Sequence, residues 1–109
     1  MGQEIIHDRA GSRYVLKVDG AEAGFADYSP KETIAHELPE VRDFNHTYIH
    51  PSFRGHGLSE DLIRYALDDT RASGAKVIAT CSAVAGFIGK NPEYADLLAG
   101  RRRPRPSHA

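Results

Sequence analysis

The chain has a single cysteine, Cys81, in 109 residues. That excludes an internal disulfide and any cysteine-rich zinc site. No apolar stretch approaches the roughly 18 residues that a membrane span needs. The opening Met1-Gly2-Gln3-Glu4-Ile5-Ile6 has neither the basic n-region nor the long apolar h-region of a secretion signal, and Ile6 occupies the position where a myristoylation signal carries Ser or Thr. Internal repeats and low-complexity stretches are missing as well. What is left, 40% hydrophobic and 27% charged, is an ordinary globular composition with enough chain for one modest core. The expectation is a single cytoplasmic domain over residues 4–98, followed by a basic, disordered tail over 99–109.

A basic surplus is missing too. The net charge is −1, yet residues 101–109 hold four of the fourteen basic residues and no acid, which leaves the remainder at ten basic against fifteen acidic, a net of −5. An acidic body with a short arginine tail lacks the basic face of a nucleic-acid reader, so no nucleic-acid partner and no membrane partner is expected.

The pattern along the chain reads β-β-β, then strand–helix–strand, then short helices. Glu4 to Asp8 is a first strand. Arg13 to Val18 and Ala21 to Ala26 flank Asp19-Gly20, the signature of a two-residue hairpin turn. Closing the turn pairs Val18 with Ala21, Leu16 with Ala23 and Tyr14 with Phe25 on an apolar face, and Lys17 with Glu22 on the other. Residues 31–43 read as a polar loop, with a helical turn near Glu32 to His36. Phe44 to His50 is a strand, with His46, Tyr48 and His50 on one face. Leu58 to Ser73 carries a helical apolar stripe, with Ser59 as N-cap and Gly74 at the C-terminus. Lys76 to Cys81 is a last strand, Ser82 to Gly89 a short helix, and Pro92 to Leu98 another. A strand–helix–strand unit with such a helix implies parallel pairing of the flanking strands. The fold class is therefore mixed α/β: an antiparallel hairpin sheet, then a parallel strand–helix–strand unit, then short C-terminal helices.

Between the fourth strand and the long helix lies Ile49-His50-Pro51-Ser52-Phe53-Arg54-Gly55-His56-Gly57-Leu58-Ser59. A strand that ends in proline and passes through a glycine turn into a helix leaves backbone N–H groups without intrahelical partners, which suits a phosphate. It is not a Walker loop, for no Gly-x4-Gly-Lys-Ser/Thr run exists. Nor is it a Rossmann fingerprint, for the third glycine position is Glu60 and the next strand ends at Cys81 rather than an acid.

What remains, Arg54-x-x-Gly57-x-Ser59 after a hairpin sheet, resembles the GCN5-related N-acetyltransferases. With His46-Thr47, Pro51, Cys81 and Pro92-Glu93-Tyr94 it resembles their small YjdJ-type subgroup, over roughly residues 4 to 98. The resemblance implies one mixed α/β domain that uses acetyl-CoA to acetylate an amine, either a small molecule or a peptide or protein lysine. It implies that the amides of Arg54, Gly55, His56, Gly57, Leu58 and Ser59 hold the pyrophosphate. The pantetheine arm would follow the backbone of Thr47, Tyr48 and Ile49, where two parallel strands splay apart. Ser59 replaces the family's usual Gly or Ala, and Phe87 stands where many members place a tyrosine general acid, which leaves Tyr94 as a substitute candidate.

The catalytic candidates are Cys81 and His46. Cys81 corresponds to the subgroup's cysteine and is a nucleophile for two-step transfer; it also fits as a small buried residue continuing the Val77 and Ala79 face. His46 is a general base or acid, or else a hydrogen-bonded structural histidine. No metal site is expected. Set against the enzyme reading is a CoA-binding or interaction module with little catalysis.

Overall fold

A computed structural model of the chain describes residues 2–31 and 40–99. Strands β1 (Gln3–Asp8), β2 (Arg13–Val18), β3 (Ala21–Lys31) and β4 (Val41–Ile49) pair antiparallel in chain order, and β5 (Lys76–Ala79) joins β4 in parallel. Helix α1 (Leu58–Ala72) connects β4 to β5, and α2 (Ser82–Lys90) follows β5. Short 3-10 turns span Pro51–Phe53 and Pro92–Leu97. The mixed α/β architecture and its parallel pair match the sequence reading. The loop expected over 31–43 does not: Lys31 ends β3 and Val41 to Asp43 begin β4, paired with β3 on one side and β5 on the other, because ladder hydrogen bonds satisfy the backbone whatever the polarity of the side chains. Residues 32–39, with the helical turn expected there, and residues 100–109 lie outside the described residues.

Helix α1 buries Leu62, Ile63, Ala66, Leu67 and Thr70, one stripe at three- and four-residue spacing. They pack with Tyr14, Leu16, Ala26, Tyr28 and Phe44 of the sheet, while Val84, Phe87 and Ile88 of α2 and Tyr94 and Leu97 of the last turn complete the core. Gly74, at φ +79°, ends the helix as expected. The start differs. Gly57 rather than Ser59 is the N-cap, with φ +72° and no side-chain cap bond, so Ser59 sits inside the first turn.

The β2–β3 hairpin turns at Asp19-Gly20, both residues at positive φ, and pairs Val18 with Ala21 and Lys17 with Glu22 as expected. A bulge at Leu16/Lys17 then breaks the expected register: Leu16 faces Gly24, Val15 faces Phe25 and Tyr14 faces Ala26. The bulge brings Gly24 against β4, where a Cβ would meet the backbone oxygen of Tyr48 and lie 2.7 Å from Ile49 Cδ1. Phe25 consequently leaves the helix-facing side and packs with His46 and Tyr48, at centroid distances of 5.8 and 5.5 Å. A Gly24→Val substitution is expected to destabilise the fold by about 3 kcal/mol, since neither backbone can retreat. Urea unfolding checks this, and a loss below about 1 kcal/mol contradicts the close approach.

The start of β4 also holds a buried arginine that the polar character of 31–43 concealed. Arg42 is fully buried, and its Nη1 donates to the Tyr14 hydroxyl at 2.9 Å and to Thr70 Oγ1 at 3.2 Å. The Tyr14 hydroxyl donates to Asp69 Oδ2 at 2.6 Å, and burial with that carboxylate pushes the phenol well above its ordinary range. His7 stacks on Tyr14 at 4.2 Å and reaches Asp69 through Nδ1. This network ties the C-terminal half of α1 to three strands, leaving its N-terminal half to face the glycine turn.

Candidate functional site

The parallel ladder between β4 and β5 ends at Phe44 and Ala79. One further bond follows, from the Cys81 amide to the Phe44 carbonyl at 2.9 Å, and the chain then turns into α2 with Cys81 as N-cap. The last strand is thus two residues shorter than expected. Beyond Phe44, β4 continues to Ile49 with β3 on one side and, among the described residues, no strand on the other, so its free edge can pair with an extended ligand.

At the end of β4, His50 and Pro51 start a 3-10 turn, with His50 Nδ1 accepting from the Ser52 amide at 3.2 Å. His50 thus lies one residue beyond β4, its amide donating to the Ala23 carbonyl at 2.7 Å. The chain then reverses through Gly55 and Gly57, at φ +87° and +72°, conformations that an L side chain adopts only with strain. A Cβ on either glycine would meet nothing within 4 Å, so the space above the turn is open. Among the described residues, no backbone carbonyl or capping side chain accepts from the amides of Gly55 through Ser59. Donors without acceptors at a helix start form an anion cradle.

A cavity of about 380 Å³ lies over this turn, walled by Thr47, Tyr48, Ile49, Phe53, Arg54, Gly55, Gly57, Leu58, Ser59 and Ala83. It brings together eight of the nine cofactor-binding candidates; His56 is exposed and is not among the walls. Phe53 and Ala83 were not foreseen. Phe53 is an apolar residue within a polar turn, a signal available in the sequence, whereas Ala83 comes from α2, which no spacing connects to the loop. Arg54 is held at the wall: its Nε donates to the Ile49 carbonyl at 2.7 Å and its guanidinium lies 5.6 Å from the Tyr48 ring centre. The acids of the first helical turn face other partners. Glu60 pairs with Lys90 at 3.4 Å, and Asp61 accepts from Gln3 at 3.3 Å.

Cys81 borders the cavity through two of its walls. Its sulfur is 3.6 Å from Thr47 Oγ1, and Ala83 lies in the first turn of the helix it caps. Partial burial pushes the thiol up. The amides of Val84 and Ala83, together with the Thr47 hydroxyl and amide, outweigh that and bring it below an ordinary thiol. Those α2 amides face the sulfur without completing a full cap hydrogen bond, and donors so placed favour the thiolate. Because the thiolate is the reactive form, alkylation of Cys81 should rise with pH through a midpoint below that of an ordinary thiol. A Thr47→Val variant should shift that midpoint upward. Iodoacetamide rates across pH 6 to 10 check both statements, and an unshifted profile in Thr47→Val contradicts the role of the hydroxyl.

His46 is exposed, rests against Phe25 and is not a cavity wall. Tyr94 is buried, with its hydroxyl donating to Asp68 at 2.7 Å and its ring against Phe87, so it does not reach the cavity. Among the described residues no cluster of three or more His, Cys, Asp or Glu side chains could hold a metal ion, and no helix is long and apolar enough to cross a membrane.

A family model described as GCN5-related N-acetyl-transferase matches residues 13–97. The chain belongs to this family. No curated protein matches it in sequence. Among solved structures it is similar to a GCN5-like protein from Staphylococcus aureus, at 18% identity and TM-score 0.66 with 96% of each chain covered. It is similar to the ribosomal-protein-alanine N-acetyltransferase of Brucella melitensis biovar Abortus 2308, at 20% identity and TM-score 0.57, covering 85% of this chain and 64% of that one. The Salmonella typhimurium protein yncA, solved with its cofactor acetyl-CoA, is similar at 19% identity and TM-score 0.53, over 72% of this chain and 47% of that one. At these identities the likeness is one of fold, and the chain spans less than two thirds of the Brucella and Salmonella proteins.

Proposed function

We propose that this protein is an acetyl-CoA-dependent N-acetyltransferase. The observation that carries the reading is the meeting, in one cavity, of the unpartnered amides of residues 55–59 with the free edge of β4. An anion cradle beside an unpaired strand edge fits a ligand with a pyrophosphate at one end and an amide-bearing arm at the other. The amides of residues 55–59 would hold the pyrophosphate, while Arg54, whose own amide donates to the Pro51 carbonyl at 3.3 Å, would support it through its guanidinium, and the backbone of Thr47 to Ile49 would pair with the pantetheine amides. His56 contributes through its backbone alone in this reading.

Acetyl-CoA supplies an acetyl thioester, and this chain's Cys81 stands beside the splay with a thiol favoured toward ionisation. In the two-step route the Cys81 thiolate attacks the acetyl carbonyl, the bond from carbonyl carbon to the CoA sulfur breaks, and CoA departs as thiolate. The acceptor amine then attacks the Cys81 thioester, its nitrogen bonds to the carbonyl carbon, and the Cys81 thiolate is released while the amine proton passes to solvent. The second nucleophile is a small amine or a peptide or protein amine. His46, on the other face of β4, stands as the candidate base for an amine arriving from that side, with no contact to Cys81.

The finer placement follows the same reasoning. The mutual 96% coverage with the S. aureus protein, together with Cys81 beside Thr47, supports the small YjdJ-type subgroup. A core running from Ile5 to Leu98 supports one domain over 4–98, and a free cysteine supports a reducing, cytoplasmic setting. The reading is tested by thiol release from acetyl-CoA with a panel of amines, peptides and polyamines. Turnover well above the uncatalysed rate is expected. Binding of acetyl-CoA with no turnover on any acceptor would favour a CoA-binding module instead, a reading to which Phe87 and the occupied Tyr94 hydroxyl lend support.

A further inference from the structure

A second groove, of about 270 Å³, opens between the start of α1 and α2. Ser59 and Ala83 wall both spaces, so the groove continues directly from the cavity over the glycine turn. Ile63 and Phe87 give it an apolar side, Gly86 leaves that side low, and Lys90 and Glu60 stand at the rim. Their ion pair, 3.4 Å long with side chains 71% and 55% exposed, is of the weak kind that solvent and salt readily exchange.

For a ligand with its pyrophosphate on the loop amides and its arm along β4, the groove that continues over Ser59 offers a place for the nucleoside end. We propose that Lys90 is the residue that distinguishes CoA from its dephospho form, by leaving Glu60 to bind the 3′-phosphate of the ribose. The inference rests on the acetyl-CoA reading of the adjoining cavity. A phosphate monoester carries nearly two charges against one on a carboxylate, and offers three acceptor oxygens, so it outcompetes Glu60 for the ammonium. Without the 3′-phosphate, Lys90 keeps Glu60 and contributes nothing to the ligand. Glu60 also acts as a selector, because its exposed charge opposes any anion in the groove that fails to recruit Lys90.

Calorimetric titration of the full chain with CoA and with dephospho-CoA tests this without reference to activity. The wild type is expected to bind CoA about tenfold tighter than dephospho-CoA. Lys90→Met should remove that preference by weakening CoA alone, with dephospho-CoA unchanged within about twofold, and Lys90→Arg should retain it. Glu60→Gln should tighten CoA about threefold. Both positions are exposed, so the variants should fold. Equal affinity of the wild type for the two ligands, or a Lys90→Met variant that weakens both alike, overturns the inference while leaving the acetyl-CoA site standing. Failure of the wild type to bind either ligand overturns that site, and this inference with it.

Discussion

Gly57→Glu is expected to weaken acetyl-CoA binding at least about 100-fold while leaving the fold in place. Three effects act together at this position. The backbone stands at φ +72°, where an L residue costs roughly 1–2 kcal/mol. The new carboxylate enters the open space above the turn, among amides with no other acceptor among the described residues. It would satisfy those donors itself and repel the pyrophosphate. A hydrogen bond to a charged oxygen is worth about 1.5–3 kcal/mol, so the loss of two is enough for a 100-fold change. Gly57→Ala separates the contributions: it carries the backbone strain without charge or bulk, and should cost about 1 kcal/mol of stability and only a few-fold in affinity. Calorimetry and thermal melts on both variants check this. Equal binding by Gly57→Glu and wild type would remove the glycine turn from the site.

The second large effect is expected at Cys81. On the two-step route, Cys81→Ala abolishes the covalent acetyl adduct and lowers turnover about 1,000-fold, the order seen when a nucleophile and its activation are lost together. Intact mass after incubation with acetyl-CoA should show one acetyl group on the wild type and none on the variant. Stability should change little, because the cysteine caps α2 without a full side-chain cap bond. An alanine variant that turns over at the wild-type rate would mean direct transfer to the amine, with Cys81 a helix-start residue packed against the core. Retained turnover with an adduct present would make the adduct a side reaction.

The sequence made the fold legible wherever local chemistry dominates. Asp19-Gly20 placed the hairpin, the stripe from Leu62 to Thr70 placed α1, and Gly55 and Gly57 placed the turn that eight of the nine proposed binding residues surround. What it concealed was set by packing between strands. The bulge at Leu16/Lys17 answers a close approach of Gly24 to the β4 backbone, which alternation along β2 and β3 cannot register, and it sends Phe25 to the opposite face. Arg42 looked like loop polarity because its partners, Tyr14, Asp69 and Thr70, lie on other elements. Tyr94, a substitute candidate for proton transfer in the sequence, instead donates its hydroxyl to Asp68, a partner on α1 that its own segment does not reveal. Ala83 joins the cavity only because β5 ends early and turns into α2 at Cys81.

Backbone amide NMR during titration with acetyl-CoA tests the central claim most directly, because it reports which donors meet the ligand. The largest shift changes should fall on residues 54–59 and on Thr47 to Ile49, with smaller ones at Cys81 to Val84 and little change around Arg42 and Asp69. Absence of any change with acetyl-CoA in excess, or changes concentrated away from the glycine turn and the free edge of β4, would contradict the assignment.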